Sequence, residues 1–226
     1  MGLREYRRKR HFGATSEPSG GKKLVRGDKG LVYVIHKHRA SQLHYDFRLE
    51  WQGVLLSWAV PKGPSLDPST KRMATPTEDH PLEYAKFEGI IPEREYGGGT
   101  VMVWDTGTWV PESEDVDAAL KTGDLMFTLK GKKLKGSWVL VRMRPRDPGQ
   151  KPTWLLIKHR DRYASAEDIL QAKPRSIVSR RLLVEIARDE GGNLEKAATG
   201  HPPDILRKPI KNSNLIAPRR RGKKAA

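Results

Sequence analysis

Cysteine is absent from the 226-residue chain. Its absence excludes disulfides, thiolate metal sites and cysteine nucleophiles, so any metal must be held by His, Asp, Glu or water. The chain also lacks a run of about 18 apolar residues, the length that a membrane helix needs. Its start, MGLREYRRKRHF, has no apolar stretch of the kind found in signal peptides. These absences predict a soluble, cytoplasmic protein.

Apolar and aromatic residues are scarce. Hydrophobic residues make up 36% of the chain, and there are six Trp, six Tyr and four Phe. That supply is lean for a globular protein but well above that of a disordered one, and it is enough to anchor one core. The length allows one sizeable domain with tails, or at most two small domains.

Acidic residues fail to balance the basic ones, and the formal net charge is +16. Residues 1–29 contribute +6 and residues 204–226 contribute +7, whereas the 174 residues between them carry only +3. The basicity therefore lies in two terminal arms around a nearly balanced body. Such arms suit nucleic-acid phosphates, whose neutralisation releases counterions, although a solubilising role explains the charge equally well.

The middle of the chain has the pattern of a mainly β, antiparallel barrel or sandwich with few short helices. Short apolar segments alternate there with turn signals such as PKGPS and YGGGT. EDVDAALKTG (114–123) predicts one short helix that ends at Gly123. The predicted strands cover residues 31–35, 44–51, 54–60, 100–104, 124–129, 137–143 and 153–159.

The pattern changes after Ala164. AEDILQA and RRLLVEIARDEGG have helical periodicity, and the polar, basic sequence from Gly192 onward predicts disorder. We therefore predict a domain over 1–164, to which the basic arm 1–29 contributes, and a helical linker with a disordered tail over 165–226. Gly97–Gly99 predicts a hairpin connection and not a phosphate-binding loop, because no helical pattern follows it.

The strand HYDFRLEW has two chemically different faces. Because side chains alternate along a strand, Tyr45, Phe47, Leu49 and Trp51 share one face, and His44, Asp46, Arg48 and Glu50 share the other. A polar strand face is usually just solvated. However, His44 and Asp46 can reach one cation together, and His38 can return to the same point from the preceding loop. Two imidazoles and a carboxylate suit manganese, and zinc also fits.

Further polar residues follow within forty positions of that strand. Taken singly they are ordinary surface residues, but together with the metal ligands they supply cations and a general acid. Phosphoryl hydrolysis uses these parts for charge clamping and leaving-group protonation. The residues are Lys62, Arg72, Glu78, His80 and Tyr84.

Long stretches of the sequence resemble the 3′-phosphoesterase domain of bacterial and archaeal DNA ligase D. The resemblance runs from about Tyr6 to Ala164, through RRKRHFGATSEPSG, IHKHRASQLHYDFRLEWQGVLLSWAVPKGPSLDP, EDHPLEYAKFEGIIPEREYGGGTVMVWDTGTW and WLLIKHRDRYA. It implies a compact β-barrel-like domain that depends on manganese, with zinc or cobalt as alternatives. It further implies that the domain removes a 3′-terminal ribonucleoside and then hydrolyses the 3′-phosphate during non-homologous end joining.

The resemblance also implies roles for individual residues. The metal ligands fall on His38, His44 and Asp46, and the catalytic residues on Arg48, His80 and Tyr84. Phosphate-binding positions fall on Arg10, Lys62 and Arg72, with supporting carboxylates at Glu17 and Glu78. The sequence departs from the family at Arg10-His11-Phe12, where the family usually has Arg-Asp-Phe. His11 therefore puts in doubt any step that needs the negative charge.

The resemblance also implies substrates and partners, and two alternative functions stay open. We expect DNA or RNA–DNA 3′ ends as substrates. The expected protein partners are a separate ATP-dependent ligase, a polymerase or primase, and Ku. We expect the protein itself to be a nucleoid-associated monomer that binds no membrane. Only 62 residues follow Ala164, so we expect a stand-alone form without a ligase or polymerase module. One alternative is a catalytically weakened DNA-binding or end-joining scaffold. Another is a hydrolase of small phosphate esters, which the basic arms disfavour.

Overall fold

The elements come from a computed structural model that describes residues 2–21, 30–145, 149 and 152–201. The strands are β1 (Leu31–Arg39), β2 (Leu43–Trp51), β3 (Val54–Val60), β4 (Arg72–Pro76), β5 (His80–Pro81), β6 (Gly89–Ile91), β7 (Gly99–Pro111), β8 (Asp124–Gly131), β9 (Lys135–Arg142) and β10 (Trp154–Lys158). The helices are α1 (Arg4–Arg8), α2 (Val116–Thr122), α3 (Ile169–Ala172), α4 (Leu183–Glu190) and α5 (Leu194–Ala198), with a 3-10 helix over Leu82–Lys86.

Eight of these strands close into an antiparallel barrel. Their order is β1-β2-β3-β4-β10-β9-β8-β7, and β7 pairs back to β1, so the ring has no free edge. β6 pairs with β7 and β5 pairs with β3 outside this ring. The prediction of a mainly β, antiparallel fold with few short helices is therefore confirmed, as a barrel.

The barrel interior is filled by alternate residues of the strands. Tyr45, Phe47 and Leu49 of β2 are buried in the same core as Trp104 and Phe127. Phe47 and Phe127 stack with ring centroids 5.7 Å apart. Replacing one such ring with alanine would cost about 3–5 kcal/mol, so this core holds the strands, and thus the polar face of β2, in fixed positions.

A second apolar layer covers the outer face of the barrel. It joins α1, the 3-10 helix and β6 to β1, β3 and β7, and its buried members are Tyr6, Val34, Leu55, Tyr84, Phe87, Ile91, Val101 and Val103. Because this layer surrounds the polar face of β2, Asp46, Arg48 and Glu50 are buried and not solvated. The polar side chains therefore lie between two cores.

The short helices follow the predicted signals. α2 begins after Asp115, whose side chain accepts a hydrogen bond from the Ala118 amide, and ends at Gly123, which adopts the left-handed conformation. α4 ends in the same way at Gly191. Leu183 and Ile186 of α4 belong to the main core, so this helix packs against the barrel.

The prediction of disorder from Gly192 is wrong for residues 194–201. These residues form α5 and a last turn in which His201 is buried and accepts a hydrogen bond from the Leu183 amide at 2.9 Å. Lys196 also pairs with Glu93, at 3.0 Å. Contacts with distant residues fix this segment despite its polar composition. The basic tail from 204 onward lies outside the described residues, and the boundary at 164 stays a prediction.

Within the described part of the chain, no helix has the length and apolar character needed to cross a membrane.

Candidate active site

Three potential metal ligands converge on the β1–β2 hairpin. His38 and His44 are directly opposite one another in the register, and Asp46 follows two positions along β2 on the same face as His44. The Nδ1 atom of His38 lies 3.7 Å from Oδ2 of Asp46, and the Nε2 atom of His44 lies 3.6 Å from Oδ1. One donor atom from each residue lies within 4.8 Å of the other two. The structure thus brings together the three residues predicted to bind metal.

Backbone carbonyls fix the orientation of both imidazoles. His38 donates its Nε2–H to the carbonyl of Gly97 at 2.8 Å, and His44 donates its Nδ1–H to the carbonyl of Gln42 at 3.1 Å. A carbonyl can only accept, so in the neutral form of each ring the other nitrogen carries the lone pair, and these are the two atoms that face Asp46. Metal-binding histidines are usually oriented by a second-sphere acceptor in this way. The donor set therefore fits a divalent cation.

Electrostatics favour the metal-binding protonation states. Burial disfavours the ionised carboxylate of Asp46, but Arg48 and the two histidines outweigh burial and hold its pKa well below the usual range. Burial also lowers the pKa of His44. The site consequently presents an anionic carboxylate and a neutral imidazole, which are the forms that coordinate metals.

Arg48 lies beside the three metal-ligand candidates and is almost fully buried. Its Nη2 is 3.1 Å from Oδ2 of Asp46, and its Nη1 donates to Oγ of Ser57 at 2.7 Å. Its Nε donates to Nδ1 of His36 at 3.4 Å, and the guanidinium lies over the ring of Tyr84, 5.1 Å from the centroid. These contacts hold a cation next to the position where a metal would bind.

His36 and Ser57 were not assigned to the site from the sequence, although both contact Arg48. His36 is completely buried behind Arg48, and burial lowers its pKa to about 3. The period-two alternation already put His36 on the face of His38, and that was the available signal. Ser57 lies directly opposite Arg48 in the β2–β3 hairpin, and the two-residue gap between those predicted strands was the available signal for this contact.

His80 lies between two arginines. Its Nδ1–H donates to the carbonyl of Glu78 at 2.8 Å, and its Nε2 accepts from Nη2 of Arg10 at 3.2 Å. Nη1 of Arg48 is 2.9 Å from Nδ1, a contact between two donors in this tautomer. Burial and the two positive charges lower the pKa of His80 well below its usual value, so the ring is neutral.

Two carboxylates neutralise Arg10 and tie the N-terminal segment to the site. Nε of Arg10 is 2.8 Å from Oε1 of Glu17, and its Nη1 is 2.9 Å from Oε1 of Glu78. The hydroxyl of Tyr84 donates to Glu17 at 3.1 Å. Arg10, Glu17, Glu78 and Tyr84 therefore form one network, with the tyrosine hydroxyl directed at the carboxylate.

A cavity of about 340 Å³ opens above these groups. Predicted site residues in its wall are Arg10, His38, His44, Asp46, Arg48, Glu78, His80 and Tyr84. Tyr96 and Gly97, which were not predicted to belong to the site, also line it.

Four other residues singled out from the sequence do not line the cavity, and one of them, Glu17, lies behind it in contact with Arg10 and Tyr84. Lys62 is exposed in the turn after β3, and Arg72 is a half-buried residue at the start of β4. His11 has an 85% exposed side chain and pairs with Glu95 at 3.1 Å. The phosphate-binding roles of Lys62 and Arg72 stay predictions, and the departure at His11 lies on the protein surface.

Known proteins resemble this chain over the region that contains the candidate site. The family "DNA Ligase D 3′-phosphoesterase domain" matches residues 36–142. The multifunctional non-homologous end joining protein LigD of Pseudomonas aeruginosa is 50% identical over 185 residues, which are 80% of this chain and 22% of that protein. The multifunctional non-homologous end joining DNA repair protein LigD of Mycobacterium tuberculosis H37Rv is 48% identical over 140 residues, 62% of this chain and 18% of that protein.

A third relative, the multifunctional non-homologous end joining protein LigD of Mycolicibacterium smegmatis, is 37% identical over 172 residues, 74% of this chain and 22% of that protein. The chain thus spans about a fifth of the length of these curated relatives.

Proposed function

Because residues 36–142 belong to the 3′-phosphoesterase domain family of DNA ligase D, we propose that the protein is a metal-dependent phosphoesterase that heals DNA 3′ ends. It removes a 3′-terminal ribonucleoside and hydrolyses the resulting 3′-phosphate to a hydroxyl. The names of the relatives support a place in non-homologous end joining. The ATP-dependent ligase, the polymerase or primase and Ku remain partners proposed from the same resemblance.

The observation that carries this proposal is the orientation of His38 and His44. Each ring has one nitrogen committed to a backbone carbonyl and the other directed at Asp46. A solvated polar strand face would not need this arrangement. A divalent cation, manganese in our proposal with zinc or cobalt as alternatives, would supply Lewis-acid polarisation of a phosphoryl oxygen when bound there.

Arg48 is the residue that we expect to bind the phosphoryl oxygens. It lies 3.1 Å from Asp46 and is fixed by Ser57 and His36, so its position does not depend on substrate. A buried, oriented guanidinium next to the reacting group stabilises negative charge more strongly than a solvated one. Tyr84, in contact with the same guanidinium, would support the bound phosphate.

The hydrogen bonds of His80 favour stabilisation of the transition state over protonation of the leaving oxygen. Its one ring proton is donated to the Glu78 carbonyl, and its lone pair accepts from Arg10. In this state His80 has no proton directed at a leaving oxygen. We therefore propose that His80 stabilises the transition state by holding Arg10 in place, and does not protonate the leaving group.

The test uses an end-labelled primer–template with a 3′-phosphate or a 3′-terminal ribonucleotide. We expect turnover with manganese, none with chelator, and none with His44→Ala. His159→Ala is the matched control, because His159 follows the end of β10, bonds to Ser137 and does not line the cavity. Turnover in chelator, or full activity of His44→Ala, would refute the metal mechanism.

The scaffold alternative predicts a different result in the same assay. The protein would then retain the DNA in a gel shift and release no phosphate from either substrate. The observation that suggested this alternative was His11, and its exposed position outside the cavity weakens the argument.

A further inference from the structure

Tyr96 is an exposed aromatic residue at the edge of the candidate active site. It is 51% exposed, and it lines the same cavity as the metal-ligand candidates. The other large hydrophobic residues that are exposed in the described part of the chain are all aliphatic or methionine: Met73, Val110, Met126, Met143, Val178 and Leu194. An aromatic ring left in water at this one position needs an explanation.

The ring of Tyr96 is supported by cations from the N-terminal segment. Nζ of Lys9 lies 4.6 Å from the ring centroid and 3.3 Å from the hydroxyl, and Arg10 lies 5.8 Å from the centroid. Lys9 is itself held by Glu78 at 3.1 Å. The ring is therefore oriented by contacts that leave half of the residue free.

The loop that carries Tyr96 is fixed at several points. The Gly97 carbonyl accepts from His38, and the Gly98 carbonyl accepts from Lys196 at 3.3 Å. Gly98 also lies so close to the backbone of Pro92 and Glu93 that a Cβ atom would be 2.6 Å from the Pro92 carbonyl oxygen. The loop is therefore closely packed, and Tyr96 keeps a constant position relative to His38.

We propose that Tyr96 is a platform on which the nucleobase of the 3′-terminal nucleotide stacks while its phosphate lies at His38, His44 and Asp46. This inference rests on the proposed function and names the part of the substrate that the site holds. Every base has a π-face, so stacking on an aromatic side chain is tolerant of sequence. An end-healing site meets any of the four bases and needs such a contact. A flanking cation adds attraction for the phosphate backbone.

The first experiment compares two 3′-phosphorylated oligonucleotides, one with a normal terminal base and one with an abasic terminal residue. On the base-bearing end, we expect Tyr96→Ala to lower kcat/KM roughly 5- to 150-fold, which is the loss expected when one base no longer stacks on an aromatic ring. Tyr96→Phe keeps the ring, so its kcat/KM should stay within about twofold of the wild-type value. On the abasic end, wild type and Tyr96→Ala should be equal, because the partner of the ring is missing. Tyr163→Ala, a half-buried tyrosine outside the cavity, is the control.

Two results of that comparison would overturn the proposal. One is an unchanged kcat/KM of Tyr96→Ala on base-bearing ends. The other is an equal loss on base-bearing and abasic ends, which would mean that the ring acts on the loop or on His38 and not on the base.

A second readout separates this inference from the proposed function. An oligonucleotide with 2-aminopurine at its 3′ terminus is titrated with protein in metal-free buffer, and quenching of the fluorescent base is measured with anisotropy as the binding control. We expect wild type to quench and Tyr96→Ala to bind without quenching. If the protein quenches the base but releases phosphate from no substrate, the proposed function is contradicted and the stacking proposal still holds. If the protein releases phosphate but does not quench the base, only the stacking proposal is contradicted.

Discussion

His38 donates its Nε2–H to the carbonyl of Gly97, 59 residues further along the chain, at 2.8 Å. This hydrogen bond joins a candidate metal ligand to the loop that carries Tyr96. It sets the tautomer of the imidazole and fixes the position of the loop at the same time. Any change in the loop backbone is therefore expected to reach the metal site.

The first prediction concerns Gly97→Ala. Gly97 has φ +79°, a conformation that an alanine adopts only with strain, so the carbonyl should shift away from His38. We expect metal affinity, measured by calorimetry, to fall about 10- to 100-fold, as for other losses of a second-sphere partner. Gly53→Ala is the control, because Gly53 has φ +82° in the β2–β3 turn, where an added Cβ meets no atom. Equal metal affinity in both variants would contradict the prediction.

The second prediction concerns Arg48→Lys. An ammonium on a flexible stem cannot reach Asp46, Ser57 and His36 together as the planar guanidinium does. We expect kcat for 3′-phosphate release to fall about 100- to 1,000-fold, with a melting temperature that shows a folded protein. The exposed Arg142, whose guanidinium donates to the backbone carbonyls of Lys121 and Thr122, provides Arg142→Lys as the control. Activity retained in Arg48→Lys would show that a point charge is sufficient.

The third prediction concerns pH and His201. Burial lowers the pKa of His201 to about 3, whereas an unfolded histidine titrates near 6.5. Between these values the unfolded chain binds a proton that the folded chain does not, so stability falls as pH falls from about 6.5 toward 3. His201→Gln should flatten the pH dependence of the unfolding free energy by about 1.4 kcal/mol per pH unit in that window. Urea unfolding at pH 6, 5 and 4 measures this slope, and an unchanged slope would show that His201 is protonated in the folded state.

The fourth prediction concerns the segment after Ala164. Ile186 of α4 is fully buried in the main core, so Ile186→Ala should lower the unfolding free energy by about 2–5 kcal/mol. Val178→Ala, at a 60% exposed position in the same segment, should change it little. A single denaturation curve followed by Trp fluorescence provides the measurement. If Ile186→Ala left the barrel transition unchanged, the segment would be a linker as the sequence suggested.

The sequence predicted the elements whose pattern is local. Alternation along β2 correctly separated its core face from its polar face, and Gly123 correctly marked the end of α2. β4 was not predicted because its five residues include Pro76, and β5 and β6 were not predicted because they have only two and three residues. Pairing with longer strands stabilises these short elements, and a local pattern contains no information about such pairing.

The candidate site could also be predicted only where its residues lie close together in the sequence. His44 and Asp46 share a strand, so their proximity follows from the spacing alone. Tyr96 and Gly97 reach the site through the closure of the barrel and the packing of loops, whereas Ser57 pairs directly with Arg48 across the β2–β3 hairpin. Lys62 and Arg72 lie near the site residues in the sequence, but they do not line the cavity. Spacing predicted the metal-ligand candidates, and only the fold revealed which residues orient them.

The row of buried polar groups that runs from Asp46 through Arg48, His80 and Arg10 to Glu17 has a thermodynamic consequence. Folding has already removed these groups from water and oriented their donors. In the proposed reaction, little dipole reorientation would then be needed when a phosphoryl group gains charge in the transition state, so the reorganisation energy would be small. The corresponding penalty falls on the stability of the protein, because Arg10 and Arg48 both lie against the neutral imidazole of His80.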